Sequence, residues 1–79
     1  MIVETAADAT EIVRNFVEKM SPGLGFVPRS AELVHSGMAK FWRVEASVGF
    51  EIMVFEVEQA SGKIMKYGVE EVSKRTRRG

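Results

Sequence analysis

The stretch Lys40-Phe-Trp-Arg-Val-Glu-Ala-Ser-Val48, followed by Phe50-Glu-Ile-Met-Val-Phe-Glu-Val-Glu58, decides the fold. Both runs are rich in β-branched and aromatic residues, which alternate with polar residues at the period of two that a β-strand requires. Gly49 separates the two runs, and Gln59-Ala-Ser-Gly62 separates the second run from Lys63-Ile-Met-Lys-Tyr67. Turn residues between short strand-like runs are typical of hairpins. The sequence therefore predicts an antiparallel meander.

Alternation within these runs assigns their side chains to two faces of the sheet. In the first run, one face carries four apolar residues, namely Trp42, Val44, Ala46 and Val48. The other face carries Phe41 and Arg43, and the matching face of the next run carries Ile52 and Val54. A half-buried antiparallel sheet has one apolar face and one mixed face. We therefore expect the first face to contact the core and the second to meet solvent or a partner.

The strands predicted on either side of this pair have weaker patterns. Residues 29–36 alternate in polarity and predict a strand, with a short helix as the alternative. Residues 24–28 contain a glycine and a proline, which predict an irregular connection. In the last strand we expect a bulge or bend at Gly68. The inner face of that strand is predicted to carry Met65, Tyr67 and Val69.

Residues 5–20 predict an amphipathic helix. Its apolar residues recur every three or four positions and form one stripe, which consists of Ala9, Ile12, Val13, Phe16, Val17 and Met20. Thr5 followed by Asp8 resembles a capping box, and Asp8 also suits the positive end of the helix dipole. Ser21-Pro22-Gly23 predicts the end of the helix, because proline cannot continue it and glycine allows the left-handed exit.

These elements predict an α+β domain, in which one N-terminal amphipathic helix packs on a mostly antiparallel sheet of about four strands. The domain is expected to span residues 1–73, and residues 74–79 are expected to form a basic flexible tail. Both layers are predicted to supply the core, which consists of Ile12, Val13, Phe16, Val17, Met20, Leu33, Trp42, Val44, Phe55, Val57 and Tyr67.

Composition is that of a small globular protein and excludes several chemistries. The 79 residues include 11 basic and 11 acidic side chains and no cysteine. The lack of cysteine excludes disulfides, thiolate metal sites and cysteine nucleophiles. The first residues lack the basic and apolar segments of a signal peptide, and no apolar run approaches the ~20 residues that span a bilayer. We therefore expect a cytoplasmic protein without a membrane partner.

No residue pattern points to catalysis. His35 is the only histidine, and it lacks the accompanying ligand pattern that metal binding or acid–base chemistry needs. Glu56 and Glu58 share one strand face, where paired carboxylates normally discourage aggregation. Gly23-Leu-Gly25 follows the helix instead of preceding one, so it does not form a phosphate-binding loop. We expect no enzymatic activity, no cofactor and no metal.

Two features of the chain predict binding to a partner. The first is the outer sheet face, with Phe41, Arg43, Ile52 and Val54. The second is the tail, with Lys74, Arg75, Arg77 and Arg78. The leading hypothesis is a small protein-interaction or accessory module that binds another protein or a second copy of itself. The copy would dock through a sheet edge or through the apolar outer patch.

Nucleic-acid binding is the alternative hypothesis. Phe41 would then stack on bases, while Arg43 and the tail would contact phosphates. The chain outside the tail is mildly acidic, which weighs against a broad nucleic-acid contact.

The stretch from Phe55 to Tyr67 resembles PepSY-type domains, in which a strand ends in a short glycine-containing turn and a second strand returns. The chain is also similar to the gas-vesicle synthesis accessory protein of the O type. That family pairs a Trp-Arg-Val strand with a Glu-Val-Glu strand and has an arginine-rich end. The matching positions here are Trp42-Arg43-Val44 and Arg75 to Arg78. The resemblance covers about half the chain, and both families imply a non-enzymatic binding or accessory module.

Overall fold

A computed structural model describes residues 2–70 and contains one helix and four strands. The elements are α1 (Ala6–Met20), β1 (Phe26–Ser36), β2 (Ala39–Val48), β3 (Glu51–Glu58) and β4 (Ile64–Val69). The strands lie in the sheet in chain order, and each is antiparallel to its neighbour. The predicted α+β fold with a four-stranded antiparallel meander is confirmed. The predicted boundary at residue 73 and the basic tail lie outside the described residues.

Both ends of α1 follow the rules that the sequence suggested. The Thr5 hydroxyl accepts a hydrogen bond from the Asp8 backbone N–H at 3.1 Å, which satisfies one of the free donors of the first turn. At the other end, the Ser21 N–H donates to the Val17 carbonyl at 2.8 Å, and Gly23 follows with φ +86°. Only glycine adopts that backbone conformation without a steric cost, so the chain leaves the helix at this point.

The first strand begins earlier than the sequence suggested. Phe26, Val27 and Pro28 belong to β1, which leaves residues 21–25 as the connection, and the alternative of a short helix at 29–36 is wrong. Pro28 is tolerated because β1 is an edge strand, where a missing N–H leaves no partner unsatisfied. The register shifts between Pro28 and Ser30, so Arg29 has no partner on β2 and forms a bulge.

The predicted irregularity in β4 is at a different residue. Glu56 pairs with Lys66 while the next residue, Val57, pairs with Ile64, so the extra residue is Met65. Gly68 pairs regularly with Val54, and the prediction of a bulge there is wrong. Because a bulge shifts the alternation of the strand, Met65 does not belong to the regular inner face as predicted. The residues opposite the inner positions of β3 are Ile64, Tyr67 and Val69.

The core lies between α1 and the inner face of the sheet. Its buried side chains are Val3, Ala9, Val13, Val17, Trp42, Val44, Ala46, Val48, Phe55 and Val57. Of the other predicted core residues, Ile12 and Phe16 are partly buried against this cluster. The prediction is wrong for Met20, Leu33 and Tyr67, whose exposed fractions are 45%, 37% and 48%. A helix about 10 Å wide covers only two or three strands spaced ~4.8 Å apart, so its end and the sheet margins stay partly open.

The N-terminal segment is tied to the end of the sheet by two hydrogen bonds. The Trp42 indole N–H donates to the carbonyl of Val3 at 2.8 Å, and the Val3 N–H donates to the carbonyl of Gln59, also at 2.8 Å. Val3 is almost completely buried and closes the core beside the first turn of α1. The indole thus satisfies its only polar group inside the protein, as a buried tryptophan requires.

We predict that the Trp42 N–H contributes measurably to stability. Because the chain has one tryptophan, biosynthetic replacement by 3-benzothienylalanine removes only that donor and keeps the ring shape. The Val3 carbonyl would then be buried without this partner, which should lower the free energy of unfolding by about 1–3 kcal/mol. Urea denaturation followed by circular dichroism measures the change, and an unaltered midpoint would contradict the prediction.

Candidate interaction surface

One face of the sheet has no covering layer among residues 2–70. The helix packs on the other face, and the shortest dimension of the molecule is 17 Å, as expected for one helix on one sheet. We call the uncovered side the open face. Its outward side chains come from alternate positions of all four strands and include Glu32, Phe41, Arg43, Val54, Glu56 and Lys66.

Four of the predicted binding residues lie on the open face, as two pairs on adjacent strands. Phe41 and Arg43 lie two positions apart on β2, and Ile52 and Val54 lie two positions apart on β3. The register pairs Ser47 with Ile52, so the two pairs occupy adjacent strands on the same side. Phe41, Ile52 and Val54 are only partly buried. Their common face is therefore confirmed, while their role in binding stays a prediction.

Oppositely charged side chains cross the middle of the open face in register. Glu32 of β1 pairs with Arg43 of β2, Arg43 pairs with Glu56 of β3, and Glu56 pairs with Lys66 of β4. We call these four residues the charge row. Directly opposed positions in a sheet are close enough for their side chains to interact, and opposite charges there are favourable. In the structure the charged nitrogens and oxygens of these three pairs lie more than 4.0 Å apart, so the row is an alignment of opposite charges and not a set of formed ion pairs. Sequence reasoning missed the row, because it depends on strand register, which alternation within one strand does not specify.

Apolar side chains lie on both sides of the charge row. Toward one end of the strands, Phe41 pairs with Val34 of β1. Toward the other end are Ile52 and Val54 of β3. The open face therefore has two apolar zones with a charged strip between them.

The bulge in β1 adds an ion pair at the margin of the open face. The Arg29 Nε lies 3.3 Å from Oε2 of Glu45, with exposed side-chain fractions of 50% and 29%. Ion pairs at such exposure contribute about 0–1 kcal/mol to stability, so this one mainly fixes the position of the Glu45 carboxylate. In the sequence, the residue that could have indicated this bulge and its ion pair is Pro28, because proline within a strand often accompanies irregularities at a sheet edge.

A shallow depression of about 360 Å³ lies on the open face beside β4. It is lined by Arg43, Val54, Glu56, Lys66 and Glu70, together with the last residues of β4. Its cause is Gly68, which pairs with Val54 and contributes no side chain. A Cβ atom added at Gly68 would meet nothing within 4 Å. The glycine therefore leaves space next to an apolar side chain without being required by the backbone.

The remaining candidates from the sequence have these positions. His35 is exposed on β1, and Glu56 and Glu58 share the open face as predicted. Within residues 2–70, no group of three histidine, aspartate or glutamate residues is arranged to hold a metal ion. In the same range, no helix has the length and apolar character needed to cross a membrane. The cations of the tail, Lys74, Arg75, Arg77 and Arg78, lie outside the described residues.

Comparison with known proteins gave no match to any protein family, curated protein or solved structure. The resemblance to PepSY-type domains and to the gas-vesicle accessory family therefore stays a prediction, which rests on Phe55 to Tyr67, on Trp42-Arg43-Val44 and on Arg75 to Arg78.

We predict that the two sheet faces differ in how they contribute to stability. Val44→Thr places a hydroxyl at a fully buried position of the inner face, which should cost about 1–3 kcal/mol. Val54→Thr is the matched change on the open face, where the hydroxyl can reach water, and should change stability by at most about 0.5 kcal/mol. Urea denaturation at low micromolar concentration compares the two, and equal losses would mean that Val54 is also covered within one chain.

Proposed function

We propose that this protein is a small, non-enzymatic protein-interaction or accessory module that binds its partner through the open face. The observation that carries the proposal is the position of Phe41, Ile52 and Val54. All three lie on the two central strands, on the side that residues 2–70 leave without a covering layer. Adjacent apolar side chains on an uncovered surface, such as Ile52 and Val54, are typical of interaction sites. A second layer on this face would remove them from water.

The charge row supports a protein partner of defined orientation. Charges across an interface contribute more to specificity and register than to affinity. An alternating row that crosses all four strands favours only partners whose charges alternate in the same spacing. The apolar zones on both sides of the row would supply the buried area.

The charge of the open face gives less support to the nucleic-acid alternative. Its acidic residues are Glu32, Glu45, Glu56, Glu58 and Glu70, whereas its basic residues are Arg29, Arg43 and Lys66. A base-stacking aromatic needs cations beside it to hold the phosphates. The cross-strand neighbours of Phe41 are Val34 and Glu58, which leaves Arg43, two positions along β2, as the cation beside it on this face.

Several parts of the proposal rest on the sequence alone. These are the cytoplasmic location, the lack of a cofactor and of a membrane partner, and the family resemblance. The resemblance agrees with an accessory role, since both families imply a non-enzymatic module.

Site-specific photo-crosslinking in the native host tests the open face as the binding surface. A benzophenone amino acid at position 47, on the open face of β2, is expected to form a crosslink to a protein chain. The matched control carries the same amino acid at position 15, on the exposed side of α1, and should form none. The absence of any crosslink from position 47 would refute the proposed surface.

We predict that the protein does not bind nucleic acid in a mobility-shift assay. The full chain should not retard single-stranded DNA or RNA at low salt, because the open face carries more acidic than basic groups. Deletion of residues 74–79 should make no difference. Tight binding that weakens steeply with salt and disappears on deletion would instead support the nucleic-acid function.

A further inference from the structure

We propose that the open face binds a second copy of this chain, face to face, about a two-fold axis that runs parallel to the strands between β2 and β3. This inference rests on the proposed function and names its partner. It follows from the order of charges in the charge row together with the position of the apolar residues on the central strands.

The charge row is complementary to itself under this symmetry. From β1 to β4 the row reads negative, positive, negative, positive, for Glu32, Arg43, Glu56 and Lys66. The axis exchanges β2 with β3 and β1 with β4 of the other copy. Arg43 then faces Glu56 of the second copy, and Glu32 faces Lys66 of the second copy. All four positions meet an opposite charge.

A different two-fold axis in the plane of the face gives repulsion. An axis that runs along the charge row, perpendicular to the strands, places every strand over its own copy. Arg43 would then face Arg43, and Glu56 would face Glu56. Like charges at a close interface are strongly unfavourable, so the row selects the axis that is parallel to the strands.

The same axis brings the apolar side chains of the two copies close to the line between the central strands, on both sides of the charge row. Phe41 lies on β2, and Ile52 and Val54 lie on β3, so each is within one strand spacing of the axis. By the same register, Phe41 faces Glu58, Ile52 faces Ser47 and Val54 faces Glu45 of the second copy, and each apolar side chain lies diagonally across the axis from its own copy, one strand spacing away. Two packed sheets lie ~10 Å apart with their strands about 30° off parallel, which leaves room for such side chains to interdigitate.

The available area is sufficient for a dimer of modest affinity. The central strands have eight paired positions, and four strands of that length present about 500 Å² in projection. The two copies together would bury about 1,000 Å², which is near the lower limit for a specific interface. We therefore expect dissociation in dilute solution and a dimer at high concentration.

Exchange of charges between two variants tests the proposed axis. In the Arg43→Glu dimer, the carboxylate introduced at position 43 would face Glu56 of the other copy. In the Glu56→Arg dimer, the guanidinium introduced at position 56 would face Arg43 of the other copy. Each variant alone should therefore dimerise at least about tenfold more weakly than the wild type.

A mixture of the two variants should form a heterodimer with wild-type affinity or better. Positions 43 and 56 are both acidic in one variant and both basic in the other, so the facing charges at these positions are again opposite. Sedimentation equilibrium of the separate and mixed full-length chains measures these affinities.

The mixture separates an interface effect from a folding defect. Each substitution also changes a pair within its own chain, since Arg43 and Glu56 are cross-strand neighbours. Mixing two misfolded chains would not restore association, so recovery in the mixture supports the interface. A wild type that remains monomeric at millimolar concentration overturns the proposal, and so does a mixture that associates no more tightly than either variant.

The crosslinking experiment then distinguishes the two levels of the proposal. A crosslink from position 47 to a second copy supports both. If the charge exchange fails while position 47 captures a different protein, the homodimer is refuted and the interaction function stands. If position 47 captures no protein chain at all, the proposed function itself is refuted.

Discussion

Residues 2–70 supply one helix to cover a sheet of four strands, and the exposure of the sheet margins and of the open face follows from this imbalance. The stripe of small apolar residues on α1, with Ala9, Val13 and Val17 at its centre, packs against the inner side chains of the central strands. A helix about 10 Å wide cannot also cover both sheet margins. Tyr67 on β4 is half-exposed, and its ring meets the helix through an edge-to-face contact with Phe16, whose ring centroid lies 5.1 Å away. The opposite face of the sheet receives no layer from residues 2–70.

An uncovered face that is partly apolar must avoid indiscriminate association. The charge row divides the apolar zones, and this division limits the continuous apolar area that any chance partner can contact. The charge row also lowers the stability of a single folded chain very little, because each charge already has an opposite charge as its neighbour in the sheet. The edge formed by β1 is protected in another way, since Pro28 and the Arg29 bulge interrupt its pairing groups. The row and the bulge thus limit chance association through the open face and through the β1 edge.

Local pattern was sufficient to predict the elements, the meander and the two faces of β2 and β3. It failed where the outcome depends on how elements are placed relative to each other. Alternation along β4 places Tyr67 correctly on the inner face, but whether its side chain is buried depends on which strands the helix covers. Met65 was wrongly assigned to the inner face, because the bulge at this residue interrupts the in-and-out alternation of side chains along β4. The face of Phe41, Arg43, Ile52 and Val54 was predictable from alternation, whereas the charge row required the register of all four strands.

The hydrogen bonds at Val3 join parts of the chain that lie far apart in the sequence. Every strand of the meander pairs with its neighbour in sequence, so the hairpins need to close only short loops. Val3, in contrast, bonds to Trp42, which lies 39 residues further along the chain, and to Gln59 beyond it. Contacts of such long sequence separation form slowly. We therefore expect the N-terminal segment to dock last, with the fluorescence of the single tryptophan as a built-in reporter of that final step.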